Sequence, residues 1–232
     1  MSDHLISLFL KKEHTLAFDL DKESNKLLVL LLSADLIFIL IHIVYMNHII
    51  SNSLYAVDRD LGYAEIYQYI KEFWIILLLL FATIKRKHLT YFAWSLLFMY
   101  LLMDDSMRFH EIAGGYLVYH FDIQPMFNLR AQDFGELGVS AMFGFLLFAL
   151  IGVAYLFSGR TAKQISKHLF ILIMLLAFFG IVVDMLHAAI PWGKSIWGLV
   201  EDGGEMLIMS IIVWYVFGLK HSSSKSAMIN HN

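Results

Sequence analysis

A series of apolar runs, each close to the length of a bilayer crossing, constrains this chain more than any other feature of its sequence. The runs cover about residues 27–50, 69–84, 90–112, 134–157, 168–190 and 196–219. A helix needs about 20 apolar residues to cross the hydrocarbon core. Inside that core every backbone N–H and C=O must be satisfied within the helix itself. Composition agrees: 59% of the 232 residues are hydrophobic and 16% charged, where a soluble domain has about 45–50% and about 25%. The expected fold is all-α, a polytopic membrane helical bundle of six transmembrane helices in one domain, residues 27–219. Residues 1–26 read as an N-terminal cytoplasmic or interfacial segment, in which Leu5, Ile6, Leu8, Phe9 and Leu10 form one side of a short interfacial helix or belong to a frayed tail. Residues 220–232 read as a disordered cytoplasmic tail, and no cleavable signal peptide is evident.

The chain has no cysteine. Disulfides, zinc–thiolate sites and iron–sulfur clusters are therefore excluded, and any metal would be held by His, Asp, Glu or water. Lysine and arginine set the orientation. They gather in the N-terminal segment (Lys11, Lys12, Lys22, Lys26), after the second run (Lys85, Arg86, Lys87), after the fourth (Arg160, Lys163, Lys167) and in the tail (Lys220, Lys225). The other side has only Arg59, Lys71, Arg108, Arg130 and Lys194. The positive-inside rule then places both termini in the cytoplasm, which requires an even number of spans. Two connections are long, 51–68 and 113–133, and the second is expected to lie in the interface or to fold back as a lid.

This orientation brings four groups of acids to one depth. Spans three and five run outward and carry acids near their ends; spans four and six run inward and carry them near their starts. At 1.5 Å per residue, Asp104, Glu136, Asp184, His187 and Glu205 all fall within roughly 15 Å of the outer helix ends. If Leu101–Glu111 is one helical segment, Asp104 and Glu111 share a face, with Arg108 between them. Asp133 with Glu136, Asp184 with His187, and Glu201 with Glu205 pair at i,i+3 or i,i+4. His110 points about 100° away from Glu111, and Asp105 and Asp202 are expected to point away from the centre. Carboxylates this close cannot all stay ionised without compensation. Bound cations, shared protons or a water-filled vestibule would supply it. Asp133 and Glu201 also suit a helix N-terminus, whereas Asp104 and Asp184 precede C-termini, where negative charge is disfavoured. Asp35 and His42 share a face of span one and read as a buried pair or a proton relay. Gly144, Gly152, Gly180, Gly203 and Gly204 read as close-packing points.

Known motif sets fit poorly. Gly138-Val139-Ser140 with His187 departs from the rhomboid proteases at Ala141 and lacks a histidine in span six. Desaturase histidine boxes are absent, and only Asp184-x-x-His187 approaches the Glu-x-x-His pairs of ferritin-like di-iron proteins. Met103-Asp-Asp-Ser-Met-Arg-Phe-His-Glu111 and Glu201-Asp-Gly-Gly-Glu-Met206 resemble paired motifs in a group of uncharacterised bacterial multipass proteins. There a span ends in Asp-Glu…His-Glu and the last span opens with Glu-Glu…Glu. The resemblance covers about residues 90–219. It implies a bacterial inner-membrane protein and matches Asp104, Asp105, His110, Glu111, Glu201, Asp202 and Glu205 to the family's acids and histidine, with Asp105 and Asp202 one methylene shorter than glutamate.

The expected function is an integral membrane protein with an outward-facing metal site between spans three and six. The expected ligands are Asp104, His110, Glu111, Glu136, Asp184, His187, Glu201 and Glu205, supported by Asp105, Arg108, Asp133 and Asp202. Carboxylate and imidazole ligands on facing helices suit a divalent metal, iron, zinc or manganese, in a di-metal carboxylate site. Such a site would serve an enzyme acting on a lipid or small apolar molecule, with no residue yet assigned a catalytic role. One alternative is a cation or proton channel or transporter with Asp35 and His42 on its path. The other is a membrane sensor or partner-binding subunit. The expected partners are the lipid bilayer and, as an open option, further copies of the chain, but no nucleic acid.

Overall fold

The protein is described by a computed structural model covering residues 22–190 and 192–229. The greater part of the expected N-terminal segment therefore lies outside the described residues. The helices are α1 (Lys22–Met46), α2 (Tyr63–Arg86), α3 (Leu89–Met107), α4 (Phe109–Phe121), α5 (Ala131–Leu156), α6 (Arg160–Ala177), a π-helical segment (Phe178–Val183), α7 (Asp184–Ala189) and α8 (Lys194–Ile229). No strand occurs among the described residues beyond an isolated bridge between Met126 and Leu129.

Five stretches are long and apolar enough to cross a bilayer: Ser24–Met46, Tyr63–Arg86, Ala131–Leu156, Arg160–Ala189 and Ile196–Leu219. Their outward faces carry large apolar side chains such as Val29, Leu30, Ile37, Phe145, Leu146 and Val153. In water that much exposed apolar surface would drive association; in lipid it is the expected girdle. The chain is an all-helical, multi-pass membrane protein. The third expected span is not among the five. Leu89–Met107 is 19 residues long and is less apolar because Asp104 and Asp105 sit in its last turn.

The helices run up and down, so that short connections collect at one end. That end is basic. Lys85 and Arg86 occupy the last turn of α2, where cations complement the helix dipole. Arg86 donates to the Leu219 carbonyl at 2.6 Å, tying α2 to α8. The Trp94 indole donates to Ser166 Oγ at 2.8 Å, joining α3 to α6. Above these ties the core is apolar: Ile75, Leu79, Trp94, Phe98, Leu169 and Ile212 are fully buried. The central element is α8, which packs against α1, α2, α6 and the π segment.

The other end, where the acids lie, departs most from expectation. The second helix begins at Tyr63, six residues before its expected start. Its early turns are aromatic and polar, so hydropathy places the boundary too late. The segment 113–133 is no loop or lid. It completes α4, turns through Met126–Leu129 and enters α5 at Ala131. α4 lies on α5 where glycine meets glycine: a Cβ on Gly135 would strike the Gly114 carbonyl carbon at 2.8 Å, and one on Gly114 would strike Glu136 N at 2.7 Å. Tyr116, Tyr119 and Phe121 stand exposed on α4, as suits a membrane–water interface. By contrast Gly144 and Gly152, read from sequence as packing points, have nothing within 4 Å of an added Cβ.

Candidate functional site

The site is shaped by a helix break that its own sequence conceals. Arg108 takes a left-handed conformation, φ 53°, ends α3 and starts α4. Leu101–Glu111 is therefore not one helix, and Asp104 and Glu111 do not share a face. Asp104 folds over the break instead. Its carboxylate accepts from the His110 backbone N–H at 2.7 Å and caps the new helix. The His110 ring Nδ1 lies 3.2 Å from the same carboxylate, an ion-pair distance without hydrogen-bond alignment. That carboxylate holds the His110 imidazole above its ordinary value, with Glu136 and Glu111 adding to the effect. Glu111 turns outward to Arg108, which grips it through Nε at 2.7 Å and Nη2 at 2.5 Å. Arg108 also reaches Asp60 at 3.4 Å, pinning the 47–62 connection across the mouth of the site.

Two joined cavities open here. The deeper is about 240 Å³ and the wider about 670 Å³. Gln68, Asp105, His110, Glu136, Gly180, Asp184 and Glu205 line both. Asp104 lines only the deeper one, and Arg108, Glu111, Glu201 and Asp202 only the wider. Asp105, expected to point away, faces the centre. Asp133 lines neither. It closes a capping box on α5, accepting from Arg130 N at 2.7 Å and from the Arg130 guanidinium at 2.6 and 3.0 Å. His187 lines neither cavity but contacts Glu201 at 2.8 Å through Nδ1. Gln132 orients Glu136, donating to Oε1 at 2.9 Å and to the Glu111 carbonyl at 2.8 Å.

The residue that the sequence reading passed over is Glu72. With α2 starting at Tyr63, Glu72 lies more than two turns inside the helix and is 1% exposed. It lines the deeper cavity, and neither carboxylate oxygen has a hydrogen-bond donor. Its neighbour is another carboxyl, Asp105, at hydrogen-bonding range. Asp184 and Glu201 form a second such contact. Two carboxyls meet this way only when a proton or a cation lies between them. Glu205 sits directly over Gly180 of the π segment, where any Cβ would collide with its carboxyl group. Gly204 likewise lets Phe179 approach the α8 backbone.

Asp35 and His42 are not partners. Asp35 pairs with Lys71 Nζ at 3.1 Å, both side chains being fully buried, and accepts from Ser210 Oγ at 2.6 Å. Lys71 also donates to the Met206 carbonyl at 2.8 Å. It is an interior charge that joins α1, α2 and α8, not a base of the polar surface as the count of cations implied. His42 accepts from Val57 N–H at 2.9 Å and holds the 47–62 connection. Among the described residues no group of three or more His, Asp or Glu side chains is arranged to hold a metal ion. All the expected ligands but His187 line one or both of the joined cavities, without closing into a ligand set.

The family described as a domain of unknown function (DUF8692) matches residues 27–220. No curated protein matches the chain. No solved structure matches it either.

Proposed function

The chain belongs to the DUF8692 family, a domain of unknown function, and we propose that it binds a positively charged ligand in an outward-facing acidic cleft. The single observation that carries this reading is Glu72, a fully buried carboxyl lining a cavity with no donor for either oxygen. Glu72 faces the Asp105 carboxyl, and a cation arriving in the cavity can take the place of the proton that the pair would otherwise share. Acids from α2, α3, α5, α7 and α8 surround it, while His110 alone of the basic side chains lines the deeper cavity.

On this reading the bundle has six spans in a bacterial inner membrane. α3 is the sixth, since its 19 residues reach about 28 Å. Both termini are cytoplasmic because the basic end stays inside. A path through the membrane is the weaker alternative. The deeper cavity ends on Leu97, Phe148, Ile173 and Met209, and Asp35 lines none of the described cavities. A closed floor favours a binding or catalytic site over a channel. A second reading, a metal-dependent enzyme acting on a lipid or small apolar molecule, draws on the facing carboxyls Glu72–Asp105 and Asp184–Glu201. Iron, manganese or zinc entering there would displace a proton and pull the ligands together.

Calorimetry on the protein in nanodiscs tests both, with tetramethylammonium in one titration and manganese or zinc in another. We expect saturable cation binding that weakens about tenfold or more in Glu205→Gln and Glu72→Gln, the loss ordinary for a charged hydrogen-bond partner. Tight retention of a transition metal through purification would favour the enzyme. Binding of neither kind of cation would overturn the proposal.

A further inference from the structure

Building on the proposed cation site, we infer that its ligand is an amphipathic cation: an ammonium-type headgroup on an aliphatic chain, entering sideways from the bilayer between α5 and the π segment. The deeper cavity has two halves. Glu72, Asp105 and Glu205 hold the upper half, and below them the wall is Leu97, Leu147, Phe148, Ile173, Met174 and Leu176. A hydrated metal ion or a small polar cation would use the acids and leave this apolar half in contact with nothing. A ligand with a charged head and a hydrocarbon tail fills both.

The cavity also has a side opening. Leu137, Ser140 and Gly144 of α5 line one edge, and Ala177, Gly180 and Ile181 line the other. α5 and α6 meet lower down, where the Phe148 and Phe170 rings contact at 5.5 Å, but α5 scarcely touches the π segment. Gly144 faces open space. The gap lies among the lipid-facing side chains of α5, such as Phe145 and Leu146. A tail already in the bilayer can slide through it without entering water. Moving a tail from lipid to this wall gains little, since both are apolar. Selectivity then comes from the head: the site takes cationic amphiphiles from among the many others that share their tails.

A photo-reactive probe tests this directly. The protein in nanodiscs is irradiated with dodecyltrimethylammonium carrying a diazirine midway along its chain, and the labelled residues are mapped by mass spectrometry. We expect labelling of Leu147, Phe148, Ile173 and Leu176, competed by excess dodecyltrimethylammonium but not by dodecanol or dodecyl sulfate. It should fall about tenfold or more in Glu72→Gln and Glu205→Gln. Gly144→Trp, which narrows the opening, should reduce labelling by the long-chain probe by a larger factor than it changes tetramethylammonium affinity. Labelling confined to lipid-facing positions such as Phe145 and Val153, or equal competition by dodecanol, would overturn the inference. If tetramethylammonium or a metal still binds in that case, the cation site survives and only the amphiphile fails. If nothing cationic binds, both fail. Native mass spectrometry of untreated protein identifies the source: a co-purified cationic lipid, or a site that fills only when the probe is added.

Discussion

Lys71 shows how much one side chain decides in this interior. Its ammonium is fully buried against Asp35, Ser210 and the Met206 carbonyl. Removing one member of a buried pair leaves the other uncompensated, at a cost of about 3–5 kcal/mol, whereas removing both can be nearly neutral. We therefore expect Lys71→Met to lower stability by about that amount and Asp35→Asn with Lys71→Met to recover most of it. Denaturant melts of the detergent-solubilised variants measure both, and a double variant no better than the single would show that the pair is not the cause. His110 makes a separate expectation. Asp104 raises its imidazole, so the fold favours the protonated ring. The stabilisation is complete below about pH 6.5, the unfolded imidazole value, and fades as pH rises through the higher folded value. Thermal melts of wild type and His110→Gln should differ at acid pH and converge above neutrality. A gap that ignores pH would assign the His110 contact to packing alone.

At the scale of elements, hydropathy reads the apolar middles of the helices well and their ends poorly. The acids of α3, α5, α7 and α8 were legible as one layer because helix rise and orientation fix depth. Glu72 was not, because Tyr63–Gln68 looks like a polar connection and hides two turns of α2. The break at Arg108 was not legible either. It uses no glycine or proline, and an arginine at positive φ leaves no mark in sequence. The same break separates two of the expected ligands, since Glu111 belongs to a different helix from Asp104 and turns to Arg108. The α4–α5 crossing depends on glycine in a way that can be tested. Gly135→Val places a side chain against Gly114 and should destabilise by about 1–3 kcal/mol, the range for overpacking. Gly144→Val, facing open space, should cost far less. Parallel melting curves decide, and equal losses would mean that neither crossing nor gap is as described.

The whole molecule has a basic end of short turns and an acidic end of longer connections. This polarity was readable from charge alone, and it carries the proposed orientation. The chain's lack of cysteine makes the test simple, because any thiol is one that has been introduced. Tyr119→Cys, exposed on α4, should react with a membrane-impermeant maleimide added to intact cells. Arg160→Cys, at the opposite end, should react only after permeabilisation. The reverse pattern would invert the bundle and turn the acidic cleft to the cytoplasm. Labelling of both positions on one side would mean that α5, the helix between them, does not cross the membrane.

The π segment has a consequence that belongs to inheritance rather than to packing. A π turn is an α-helix holding one residue too many, so Phe178–Val183 has the form of a single-codon insertion kept in place. One residue is worth about 100° of rotation. Everything after it, Asp184 and His187 included, owes its facing toward α8 to that extra residue. Deleting Ile181 should restore an ordinary helix and swing both side chains away from Glu201, abolishing the 2.8 Å contact of His187, although no residue of the acidic cluster itself would have changed. In this chain the reading frame of a helix, and not only the identity of its residues, is part of what the site encodes.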